Sequence, residues 1–65
     1  MNILVNGKAR EVQSPVLHEA LLELGYGNAT IATAVNGEFI AIKAREQTRL
    51  QANDRLEVVA PMQGG

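Results

Sequence analysis

Asparagine is followed by glycine at two places in this chain, Asn6-Gly7 and Asn36-Gly37, each between short alternating or apolar runs. Both residue types tolerate positive φ, which a type I′ turn needs at its two central positions, and that turn suits the natural twist of paired strands. Two tight hairpins are therefore predicted. The first pairs "NILVN" with "KAREV" and the second pairs "IATAV" with "EFIAI".

The stretch between them, "SPVLHEALLELGYG", predicts one helix. Ser14 suits its cap, Pro15 its first turn and Gly25 its left-handed stop. Val16, Leu17, Ala20, Leu21 and Leu24 recur at three-to-four spacing and share one face that must be buried. After the second hairpin, "KAREQTRLQAND" reads as polar and irregular, with Asn53-Asp54 as a turn. "RLEVVA" then returns to strand, with Leu56, Val58 and Ala60 on one face and Glu57 and Val59 on the other. The order is strand, strand, helix, strand, strand, loop, strand. That predicts an α+β fold, a mixed five-stranded sheet with one helix packed on one face.

Sixty-five residues allow one domain, 1–65, and one core, which disfavours a deep catalytic cleft. No cysteine is present, so disulfides, thiolate metal sites and cysteine nucleophiles are excluded. A formal net charge of -1, with six basic residues scattered among seven acids, offers no stripe for phosphates, and Tyr26 and Phe39 alone could stack on bases. Nucleic acid is thus a poor partner. No apolar run is long enough to span a bilayer and "MNILVNGKAR" has no leader pattern, so the expected location is the cytoplasm and the expected state a monomer.

The C-terminus "VAPMQGG" carries the chemistry. Pro61 has no N–H and biases Ala60 towards extended geometry, so strand pairing should stop there. Residues 61–65 have little apolar surface to dock and are predicted to form a flexible tail. Five extended residues reach about 16 Å, enough to enter a partner's active site. Without Cβ atoms, Gly64 and Gly65 can thread a narrow channel and leave the terminal carbon open to attack. The α-carboxylate is ionised at neutral pH and is a poor electrophile until adenylated. The chain has no phosphate-binding Gly-rich loop of its own, so the activating enzyme must be a separate protein.

"AVNGEFIA", the block "LQANDRLEVVAPMQGG" and the overall length resemble the ThiS family of small sulfur carriers of thiamine biosynthesis. The resemblance covers nearly the whole chain, and "DRLEVV" with the terminal Gly-Gly is its sharpest part. It implies the β-grasp fold also seen in ubiquitin, and a carrier rather than an enzyme, with no cofactor bound. An adenylyltransferase of the ThiF type, using ATP and magnesium, would activate Gly65. A sulfur donor would convert it to a thiocarboxylate, and a thiazole synthase of the ThiG type would take the sulfur. Gly64 would form the slim neck behind the reacting group. Where the family commonly has Gly-Asp before the last strand, this chain has Asn53-Asp54, and "APM" stands before the glycines in place of an apolar stretch without proline.

Other readings stay open beside this one: the small subunit of molybdopterin synthase, a ubiquitin-like protein modifier, and a binding module without terminal chemistry. Phe39, Val59 and Met62 belong either to the core or to a partner-docking face, since one helix covers only one side of the sheet. Leu22 projects away from the apolar arc, and Arg55 and Glu57 flank the last strand as candidate charges for a partner or as plain surface. His18, Glu19 and Glu23 read as solvated helix residues.

Overall fold

A computed structural model describes residues 1–27 and 29–60. Five strands, β1 (Asn2–Val5), β2 (Lys8–Glu11), β3 (Ala32–Val35), β4 (Glu38–Ile40) and β5 (Arg55–Val59), form one sheet in the order β2-β1-β5-β3-β4. β1 pairs parallel with β5, and the other neighbours are antiparallel. The helix α1 (Leu17–Glu23) connects the hairpins, and its buried residues join the core on one side of the sheet. This is the predicted mixed sheet, in the β-grasp arrangement.

Both hairpin turns form where predicted, but the second hairpin is shorter than its sequence suggests, since its returning strand stops at Ile40 and Ile42 already belongs to a 3₁₀ helix. Asn6 and Gly7 adopt φ of 50° and 85°, and Asn36 and Gly37 adopt 51° and 86°, while Val5↔Lys8 and Val35↔Glu38 close two-residue loops. Asn53, with φ of 72°, makes the turn ahead of β5. Each of these conformations is closed to most side chains, so the sequence marks the turns directly.

The core comprises Ile3, Val5, Val12, Leu17, Ala20, Leu21, Ile31, Leu50, Leu56 and Val58. Leu17, Ala20 and Leu21 are the predicted buried face of the helix, while Val16 and Leu24 are half-buried. A fully buried Leu or Ile contributes about 2 kcal/mol, so this one cluster carries most of the favourable balance in a chain that has no disulfide.

The helix starts later than its sequence suggests. Val16 is extended at φ -81° and ψ 126°, and it forms an isolated bridge with Arg49. Leu17 N–H donates to the Thr48 carbonyl and Leu50 N–H to that of Pro15, so residues 15–17 are tied to residues 48–50. Ser14 therefore caps no helix and Pro15 lies outside it. The Ser14 hydroxyl instead accepts from Val16 N–H and donates to Glu19. The helix end agrees with expectation, since Gly25 adopts φ of 95°.

A 3₁₀ helix, Ile42–Gln47, begins at the last residue of the predicted strand and runs into the stretch predicted as irregular. It delivers Arg45 into the interior, where Nε donates to Thr33 Oγ1 (3.2 Å) and Nη2 to the Ile31 carbonyl (2.7 Å). The Thr33 hydroxyl in turn donates a hydrogen bond to the Ile40 carbonyl. Among the described residues no buried side-chain polar atom lacks a partner.

Candidate functional site

The sheet face turned away from the helix carries the candidate docking surface. Strand alternation puts Leu56 and Val58 inward and leaves Arg55, Glu57 and Val59 outward. The register sets Val59 opposite Ala32, and Glu57 opposite Ala34, which in turn faces Phe39 on β4. Phe39 is 68 % exposed and Val59 is 63 % exposed. With Ala32, Ala34 and Glu57 they line a shallow depression. Two large apolar side chains held open to water on a rigid sheet are unfavourable for an isolated chain, and such patches commonly mark interaction sites.

Strand geometry also says where this patch lies along the chain. Val59 closes β5, and Ala60 is the last residue before "PMQGG". Arg55 and Glu57 stand on the same outer face of β5 as Val59, so the apolar surface has a charge of each sign beside it.

The structure thus brings Phe39 and Val59 together on one face and outside the core. Met62, Gly64 and Gly65, with the tail expected at 61–65, lie outside the described residues. Leu22 and Ile42 are also exposed, at 51 % and 69 %, but they belong to α1 and the 3₁₀ helix and so to the other side of the molecule. Ile42 is predicted as the end of the strand "EFIAI", but that strand stops at Ile40 and Ile42 opens the 3₁₀ helix with its side chain exposed.

Two of the helix's polar groups, Glu19 and Glu23, are tied to the segment that leads into the helix. Glu23 accepts hydrogen bonds from the N–H groups of Gln13 (2.7 Å) and Ser14 (2.8 Å), so it is not the free solvated residue its spacing suggests. Those two bonds hold its carboxyl below the usual carboxylate range. Glu19 is engaged by the Ser14 hydroxyl, and His18 is half-buried. Among the described residues no cluster of His, Asp or Glu could hold a metal ion, and no helix is long and apolar enough to cross a membrane.

The ThiS family model matches residues 3–65, which takes in all the elements above but for the first residue of β1, and the terminal Gly-Gly. The chain belongs to the ThiS family. A crystal structure of a thiamine biosynthesis protein (ThiS) from Geobacter metallireducens is similar to it at 32 % identity, covering 100 % of both chains with a TM-score of 0.83. No curated protein sequence gives a significant match. ThiS membership agrees with the resemblance carried by "DRLEVV" and the Gly-Gly end, and the structural match extends that agreement to the whole sheet and helix.

Proposed function

We propose that this chain is a sulfur carrier of thiamine biosynthesis whose reacting group is the carboxylate of Gly65. One observation carries the reading: the match to the ThiS family runs through Gly64-Gly65, a few residues in sequence beyond a strand that is central in the sheet. The carrier role follows from the family, and the chemistry follows from the end group. A carboxylate oxygen of Gly65 attacks the α-phosphorus of ATP in a ThiF-type adenylyltransferase, expelling pyrophosphate with magnesium as the partner's counter-ion. The acyl adenylate is then attacked by a reduced sulfur nucleophile from the donor system. AMP leaves, and a thiocarboxylate remains on Gly65. A ThiG-type thiazole synthase takes the sulfur and returns the carboxylate.

In this scheme the protein contributes placement rather than catalysis. The Phe39–Val59 face docks on the adenylyltransferase, and Gly64 lets the chain enter a channel too narrow for a side chain. Met62 is assigned to the same contact. Cytoplasmic location fits a carrier that depends on ATP.

The test is the intact mass of the protein after incubation with ATP, magnesium, an adenylyltransferase of this family and a sulfur source. The expected result is a gain equal to exchange of one oxygen for one sulfur in the full chain, with none in a version lacking Gly65. An unchanged mass, with the enzyme shown to be active on another carrier, would leave the chain as a β-grasp binding module.

A further inference from the structure

Strand β5 is gripped at both ends by side chains from the two hairpin turns. At its start, Asn36 Nδ2 donates to Asp54 Oδ1 and Asn36 Oδ1 accepts from Arg55 N–H, both at 2.9 Å. Near its end, Asn6 Oδ1 accepts from Val58 N–H (2.9 Å) and Asn6 Nδ2 donates to the Val58 carbonyl (3.1 Å).

The second grip has a topological origin. The parallel pairing of β1 with β5 stops at Val5↔Leu56, because the chain turns at Asn6-Gly7 to make the first hairpin. Asn6 N–H still reaches the Leu56 carbonyl, but beyond it β1 has no further residue to set beside Val58. Without another partner, the Val58 N–H and C=O on that side would face a gap in the ladder. A primary carboxamide presents its oxygen and one of its N–H groups side by side on one edge, as a strand residue presents its own C=O and N–H, so the Asn6 side chain takes the place of the missing strand residue.

We propose that Asn6 is a positioning residue for the chemistry at Gly65: while β3 pairs β5 on one edge through Val59, the Asn6 carboxamide prolongs the pairing on the other edge through Val58 and so holds β5 from both sides up to the point where the strand ends. This rests on the carrier function proposed above. The turn does not require this side chain, since glycine also adopts φ near 50°. The role in the turn and the role in the ladder are therefore separable by substitution. The outer face with Phe39 and Val59 is untouched by either, so docking is kept while the share of docked carriers with a correctly aimed terminus falls.

Asn6→Gly is the test, with Asn36→Gly as its control, because the latter makes the same change in the other turn and releases the opposite end of β5. Two quantities are read: amide hydrogen exchange at Val58, and steady-state adenylation by a family adenylyltransferase over a range of carrier concentrations. In Asn6→Gly, exchange at Val58 is expected to speed up about tenfold and kcat to fall about tenfold, the loss of two modest hydrogen bonds, with KM held within about twofold. Asn36→Gly is expected to keep the wild-type kcat. Asn6→Asp, which retains the acceptor for Val58 N–H and loses the donor, is expected to fall between wild type and Asn6→Gly. Wild-type turnover by Asn6→Gly overturns the proposal, as does an equal loss in both glycine variants that follows their melting temperatures. Failure of the wild-type chain itself to be adenylated removes the carrier reading and this inference together, whereas a loaded wild type beside an unaffected Asn6→Gly removes the inference alone.

Discussion

Glu23 is the residue whose ionisation is most clearly coupled to the fold. It accepts from two backbone N–H groups of the segment leading into the helix, and both bonds favour the carboxylate. Its folded pKa lies below its unfolded value, so its contribution is present above the usual carboxylate range. That contribution is lost as pH falls through the lowered folded value. In Glu23→Gln, chemical denaturation at several pH values is expected to show a deficit against wild type at neutral pH that shrinks in acid. A deficit independent of pH would mean that the charge plays no part. Arg45 is a different case, because it is buried and donates to neutral acceptors, Thr33 Oγ1 and the Ile31 carbonyl. Arg45→Met keeps much of the volume and strands the acceptors, so a loss of about 2 kcal/mol is expected in denaturant unfolding. Nothing in the sequence marks Arg45 as a core residue, since an arginine in a polar stretch reads as solvated.

At the level of elements, the hairpins were the most legible because their signal is local and steric. Asn36-Gly37 says what the backbone must do whatever surrounds it. The helix face was legible for the same kind of reason, through its spacing, but the helix start was not. Ser14 and Pro15 form a good start signal, yet residues 15–17 exchange backbone hydrogen bonds with residues 48–50, partners that are distant in sequence. The 3₁₀ helix Ile42–Gln47 is not legible in the sequence, because Ile42 reads as the end of a strand and the inward residue is Arg45 while the apolar Ile42 is exposed, the reverse of the pattern that periodicity detects. The helix end can be tested directly. Gly25 adopts φ of 95°, and a Cβ built there meets no atom within 4 Å, so any penalty from Gly25→Ala is conformational and not steric crowding by neighbours. A loss of about 1 kcal/mol is expected, with Gly25→Asn losing less, because asparagine tolerates the left-handed region. Equal losses for Ala and Asn would point instead to a contact made by the loop.

For the whole molecule, the decisive asymmetry is between its two sides. Both expose large apolar groups, Phe39 and Val59 on the bare sheet face, Leu22 and Ile42 on the side of the helix and the 3₁₀ segment. Phe39 and Val59 were legible as partner candidates because one helix can cover only one face, and the register then explains why they share a patch with Ala32 and Ala34. If that patch docks the adenylyltransferase, charge placed on it should oppose desolvation at the interface while costing the free chain little, since both side chains are already in water. Phe39→Asp and Val59→Asp are expected to fold with nearly wild-type melting temperatures and to raise the KM for the carrier more than tenfold, with kcat largely kept. Leu22→Asp and Ile42→Asp make the same chemical change on the opposite side and are expected to leave KM alone. A KM that rises equally in all four variants would place the effect in net charge, since each adds one negative charge to a chain that already carries -1. A rise confined to Leu22 and Ile42 would move the docking surface to the helix side. The split between KM and kcat separates this face from Asn6, because docking governs how often the complex forms and the grip on Val58 governs how often the formed complex presents its terminus.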